Sequence, residues 1–135
     1  TAGYSVTANV LGVGGNVDGT KPEGQVELSR NLQIATAAID ATGMCLFIAF
    51  AILDQAETNQ ALLDVLSGFT GQPCTADDVT DLGKSILKQE REFNAAAGFT
   101  SKDDRLPAFF KTEPIAPHDV TFGVSDEELD SVFNF

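Results

Sequence analysis

The chain is predicted to be all-α, a multihelical, bundle-like domain, and three observations predict it. Apolar residues recur at helical spacing in several windows. Capping signatures precede three of those windows, Asp54 with Glu57, Thr75 with Asp78 and Ser125 with Glu128. No apolar–polar alternation is long enough to make a sheet. With 135 residues and 43% hydrophobic content, residues 1–135 are expected to form a single helical domain with a workable core.

Residues 4–24 read as an irregular N-terminal loop, with scattered apolar contacts from Val6, Val10, Leu11 and Val13. Gly12-Val13-Gly14-Gly15 lacks the strand–turn–helix frame that a phosphate cradle needs. Pro22-Glu23 open a first helix to about Ala41, whose inward stripe is read as Leu28, Leu32, Ala35 and Ile39. Asp40 then falls at its C-terminal end, where negative charge opposes the helix dipole and calls for a local partner. A second helix, from Met44 to about Leu53, is apolar all round and is expected to be buried on every side, partly under another domain. Asp54 with Glu57 is read as the cap of a third helix that faces inward through Leu62, Val65 and Leu66 and is ended by Gly68.

Thr75 and Asp78 open a fourth helix to about Ala97, with Val79, Leu82, Ile86 and Phe93 on one face and Gly98 at the C′ position. Residues 101–110 read as a turn with a short helical piece, in which Lys102, Asp103, Asp104 and Arg105 offer mutual ion pairs. Pro107, Pro114 and Pro117 make the following segment extended. His118, the single histidine, is read there as a surface loop residue, because nothing nearby supplies a nucleophile. Ser125 and Glu128 cap a final short helix, Asp126 to Phe133.

Net charge is −12. Such acidity argues against nucleic acid, whose phosphates need Lys and Arg, and against anionic membrane surfaces. The apolar run from Met44 to Leu53 falls far short of the ~20 residues a bilayer requires. The acids gather at Asp77, Asp78 and Asp81 and at Asp126, Glu127, Glu128 and Asp130, where helices begin and negative charge is favoured. Two cysteines, Cys45 and Cys74, are too few for a disulfide scaffold or for a closed metal site on their own, and the chain is read as cytoplasmic with reduced thiols. It begins with Thr1, and its one Met is Met44, so it is expected to be a piece of something longer.

The stretch Ile39-Asp40-Ala41-Thr42-Gly43-Met44-Cys45 places a carboxylate, a turn-forming glycine and a soft ligand within a few positions at the edge of the most apolar region. Two readings stand. It could anchor a cofactor pressed against backbone, or Asp40 could simply end a helix, with Gly43 as its C-terminal cap and Cys45 in the core.

Asp40-Ala41-Thr42-Gly43-Met44-Cys45 resembles the Asp-x-x-Gly-Leu-Cys element of the aldehyde:ferredoxin oxidoreductases, tungsten or molybdenum enzymes with a bis-pyranopterin cofactor beside a 4Fe–4S cluster. The resemblance extends over nearly the whole chain. It includes Pro22-Glu23-Gly24-Gln25-Val26-Glu27-Leu28, Arg91-Glu92-Phe93-Asn94, Gly98-Phe99-Thr100, Asp103-Asp104-Arg105-Leu106-Pro107 and Glu113-Pro114.

It implies that this chain is the all-helical C-terminal domain of such an enzyme. Cys45 would be the fourth thiolate of the cluster, the other three belonging to a Cys-x-x-Cys-x-x-x-Cys run in a preceding domain. Asp40 would accept hydrogen bonds from a pterin, and the Met44–Cys45 backbone would lie against it, so that Asp40, Met44 and Cys45 are the cofactor-binding residues and Cys45 the metal ligand. No catalytic residue is named, since the family's active-site histidine would fall at or before Thr1. The apolar second helix would shield the cluster from water. The parent would oxidise an aldehyde to a carboxylic acid and pass the electrons to ferredoxin in an anaerobe's cytoplasm. The fragment would be inactive alone, partnered by the parent's N-terminal domains, and open to homo-oligomerisation. Met44 replaces the family's usual Leu, and an Arg often found between Asn94 and Gly98 is absent. A stand-alone acidic helical interaction module, without cofactor, is the other function class that the composition allows.

Overall fold

The computed structural model describes residues 17–135. The readings placed on residues 4–16, the glycine-rich stretch among them, lie outside the described residues. The described residues are helical, with no sheet and one isolated antiparallel bridge between Ile115 and Val120, so the fold class expected from the sequence is the one observed.

Helix α1 spans Gln25–Ala41, α2 Ile48–Asp54, α3 Ala56–Thr70 and α4 Ala76–Ala96. A single 3₁₀ turn at Ser101–Asp103 and two short helices, α5 at Phe109–Thr112 and α6 at Asp126–Asp130, complete the order. α1 lies along α4, and α2 packs against α3.

Gly83 sets the α1–α4 approach. A Cβ placed there would fall 3.0 Å from Cγ2 and 2.9 Å from the carbonyl carbon of Ile34, with the Ile34 carbonyl oxygen nearer still. Only a residue without a side chain lets the two backbones come this close. The crossing turns Ile34, Ala38 and Ile39 inward, and all three are buried. The inward stripe is therefore not the one the spacing suggested, of whose Leu28, Leu32, Ala35 and Ile39 only Ile39 is buried. It is rotated around the helix, and Leu32 is 42% exposed. Ile39, Ile52 and Leu62 form the buried cluster that joins α1, α2 and α3, with Met44, Ala49 and Leu66 packed on it.

Several predicted boundaries move. The second helix begins at Ile48 rather than Met44, and it is not buried on every side: Ile52 is 2% exposed, but Phe47 and Phe50 are 79% and 70% exposed. Its neighbour starts after Gln55, which has no side-chain cap hydrogen bond, while Asp54 is the last residue of α2 rather than a cap of α3. Gly68 lies inside α3, which runs on to Thr70 and ends at Gly71 with φ 70°. At the far end, α6 stops at Asp130 rather than Phe133, and the proline-rich segment is not simply extended, since it holds α5 and a cis Ala116–Pro117 peptide between the bridged residues.

Other signals stand as read. Thr75 and Asp78 form a reciprocal capping box at the start of α4, and Ser125 and Glu128 form another at α6. A third, Thr100 with Asp103, caps the 3₁₀ turn. Gly98 is left-handed, at φ 96°. Hydrogen bonds from Thr75 hold the Asp78 carboxyl below the ordinary carboxylate range, those from Thr100 do so for Asp103, and those from Ser125 for Glu128.

The C-terminal segment is strapped to the helices by cations. Arg30 donates from Nε to the Val132 carbonyl and from Nη2 to the Ser131 carbonyl, both at 2.7 Å. Arg91 stands 4.8 Å from the Phe133 ring centroid and pairs with Asp104 at 2.7 Å. Arg105 pairs with Asp130 at 2.7 Å and Asp126 at 3.5 Å, and Lys111 also reaches Asp126. Asp103 thus serves a cap, and Asp104 and Arg105 serve distant partners, rather than pairing among themselves. The Asp126 carboxyl is lowered, first by its bond from Lys111.

Two stability outcomes follow. Gly83→Ala is expected to destabilise the chain by about 1–3 kcal/mol or more by overpacking the crossing. Gly68→Ala, at a helix-interior site with nothing within 4 Å of a new Cβ, is expected to stabilise by about 0.5–1 kcal/mol. Urea denaturation of both variants checks this, and equal midpoints would refute the crossing argument.

The second outcome concerns acid. The caps of Asp78, Asp103 and Glu128 have folded-state values below their unfolded ones, so their stabilisation is present above the unfolded carboxylate values. It declines as pH falls below about 4. Thermal unfolding followed from pH 7 to pH 3 should show that loss, with a shallower slope in an Asp78→Asn, Glu128→Gln variant.

Candidate functional site

The end of α1 runs into a turn built by Thr42 and Gly43. Thr42 is the C-cap, and Gly43 follows at φ 75°, a left-handed conformation that suits glycine. The Thr42 hydroxyl donates to the Ile39 carbonyl at 2.6 Å and accepts from the Met44 N–H at 3.4 Å, stapling both sides of the turn. The Gly43 N–H donates to the Asp40 carbonyl at 3.1 Å. Beyond the turn, the Cys45 and Leu46 carbonyls accept from the Ile48 and Ala49 N–H groups at 3.0 Å and lead the chain into α2.

This geometry resolves the two readings of the stretch in part. Asp40 does lie in the last turn of a helix, and a left-handed Gly43 does follow it. Cys45, however, is exposed and free, not a core residue. Asp40 is exposed as well, and its carboxylate pairs with no other described residue. Met44 alone of the three turns inward, onto Ile39, Ile52 and Leu62. The turn thus anchors itself through one apolar side chain and offers a carboxylate and a thiol to the outside. Thr42 was not singled out from the sequence. A hydroxyl beside a helix-ending glycine is the signal that points to it.

Asp40 also borders an open groove of about 510 Å³ between α1 and α4, lined by Leu28, Leu32, Leu87 and Glu90 among others. On the other side of α1, a smaller cavity of about 190 Å³ lies among the helices, lined by Ile34, Ile39, Ile52, Leu62, Asn31 and Lys84.

Chemically, the site offers one soft ligand and one acceptor. A thiolate ligates iron, and a carboxylate accepts N–H bonds. Among the described residues no group of three or more His, Cys, Asp or Glu could hold a metal ion. A four-thiolate cluster would need three sulfurs from elsewhere. The Cys74 N–H donates to the Ser67 hydroxyl at 2.8 Å, and Cys74 too is a free thiol. His118 is exposed in the bridged loop. Of the acids at the helix starts, Asp78 and Glu128 serve as caps, and Asp126 pairs with Lys111 and Arg105.

The family model described as "Aldehyde ferredoxin oxidoreductase, domains 2 & 3" matches residues 1–134, and the chain belongs to that family. It is similar to the tungsten-containing aldehyde ferredoxin oxidoreductases of Pyrococcus horikoshii, at 32% identity, and of Pyrococcus furiosus, at 31%, each over 114 residues. The same protein of Thermococcus kodakarensis is 31% identical over the same length. Each match covers 83% of this chain and 18% of the relative, so the chain spans less than a fifth of the curated relatives' length. No solved structure matches. No helix among the described residues is long and apolar enough to cross a membrane.

The exposure of the two cysteines has a direct readout. Cys45, exposed, is expected to react with iodoacetamide several-fold faster than Cys74, which is partly covered and whose thiol lies 3.8 Å from the Thr75 carbonyl. Mass spectrometry of the alkylated peptides checks the order, and equal rates would contradict the exposed position of Cys45.

Proposed function

We propose that this chain works as the C-terminal helical part of a tungsten-dependent aldehyde:ferredoxin oxidoreductase that converts aldehydes to carboxylic acids in the cytoplasm. The observation that carries the proposal is the pairing of family membership with an outward-facing Asp40 and Cys45 on either side of a stapled turn. Tungsten is favoured over molybdenum by the names of the relatives.

In this reading the Cys45 thiolate supplies one ligand of a 4Fe–4S cluster whose other three come from the preceding part of the parent. The Asp40 carboxylate accepts N–H bonds from a pterin ring, and the Met44–Cys45 backbone lies against the same ring. When bound, the metal–pterin group and the cluster supply the redox chemistry. The chain's own contribution is positioning. Met44, seated in the core cluster, fixes where Cys45 stands, and Thr42 fixes the angle between Cys45 and Asp40. A carboxylate that opposes the α1 dipole and has no partner among the described residues is well placed to be satisfied by a bound group. The partners follow as the remainder of the parent chain, the aldehyde and ferredoxin.

In the full-length parent, Cys45→Ser is expected to lose cluster iron and turnover. Asp40→Asn should lower turnover roughly tenfold to a hundredfold, as for other groups that orient a metal centre from outside its ligand shell. Iron analysis, the cluster's visible absorbance and aldehyde-dependent ferredoxin reduction check both. Unchanged iron and turnover in Cys45→Ser would overturn the proposal.

A further inference from the structure

The segment after Cys45 leaves large apolar side chains bare. Leu46, Phe47, Ile48 and Phe50 are 49%, 79%, 39% and 70% exposed. The Phe47 and Phe50 rings stack on each other with centroids 6.3 Å apart, so they form one patch rather than scattered residues. No charged side chain interrupts the chain from Gly43 to Leu53, in a protein of net charge −12. The opposite side of the same segment is already used: Ile52, Ala49 and Met44 pack onto Ile39 and Leu62. The segment therefore has one face in the core of this chain and a second face, rich in Phe, that no described residue covers. A contiguous bare patch of this kind marks a contact surface, and aromatic residues are enriched at the centres of such contacts.

We infer that the Leu46–Phe50 face is the seat of the preceding part of the parent polypeptide. The inference rests on the proposed membership in a larger enzyme and adds where on this chain the contact is made. Two observations favour this occupant. The relatives have more than four-fifths of their length outside the matched region, which supplies ample chain to cover the face. A second copy of this chain would bring together two bodies of net charge −12, and their repulsion opposes that pairing. An anionic lipid surface is opposed by the same charge. The face also lies directly beside the exposed Cys45, so covering it would withdraw the thiol from water together with the phenyl rings.

The test uses the full-length parent carrying Phe47→p-benzoylphenylalanine, prepared as a mixture of normal and ¹⁵N-labelled copies, irradiated and digested. A cross-link within one copy, to a peptide preceding the position of Thr1, is the expected result. A cross-link between copies, a cross-link confined to residues 1–135, or no cross-link overturns the inference. Hydroxyl-radical footprinting of the unmodified parent guards against a variant that fails to fold. Phe47 and Phe50 should oxidise several-fold more slowly in the native than in the urea-unfolded enzyme, and a ratio near one overturns the inference. The Cys45→Ser parent separates the two claims. If it keeps its iron while the cross-link persists, the ligand role falls and the docking face stands. If it loses iron while no cross-link forms, the reverse holds.

Discussion

The packing of the described helices is referred to the contact of Gly83 with the Ile34 carbonyl. Two helices whose backbones nearly touch cannot slide or rotate without collision, because packed interiors have little free volume. The contact sets the roll of α1 about its axis, and that roll decides which residues meet the core. Ile34, Ala38 and Ile39 go in; Leu32 and Asp40 go out. Ile39 then receives Ile52 and Leu62, which orients α2 and α3. The turn at Thr42 and Gly43 inherits its direction from the same roll. The exposure of Asp40 is thus a remote result of one missing side chain on another helix.

A chain with 20 acidic and 8 basic residues has to place each of its cations well. Arg30, Arg91, Arg105 and Lys111 all hold the segment that follows α4. Its two short helices and bridged loop could not stand alone, because helices this short are marginal in water without packing partners. Asp78, Asp103 and Glu128 accept backbone N–H groups at helix starts, so their negative charge stabilises the elements that carry it.

The sequence disclosed most clearly what local chemistry decides. The capping boxes at Thr75 and Ser125 and the left-handed Gly98 were legible because each involves residues within a few positions. What depends on distant contacts was not. Leu28 and Leu32 satisfy helical periodicity as well as Ile34 and Ala38 do, and only the helix crossing chooses between the stripes. Gly68 read as a stop because glycine often is one, yet Gly71 carries the left-handed turn. Asp54 looked like a cap, but the chain bends one residue later, at Gln55. At the site, the order Asp40, Gly43, Cys45 was visible as a pattern. That Cys45 points out while Met44 points in was not, because a turn's facing depends on its dihedral angles and on the pocket beneath it.

Arg30 grips the C-terminal segment by two main-chain carbonyls rather than by any side chain. Such a grip is blind to the identity of the residues it holds. Positions 131 and 132 are therefore free, as far as this clasp is concerned, to drift over evolutionary time, whereas the forked guanidinium has no equivalent in lysine, whose point charge cannot meet two acceptors in one plane. Variation should accumulate at position 131, since the Val132 side chain is itself buried, and not on the holding side.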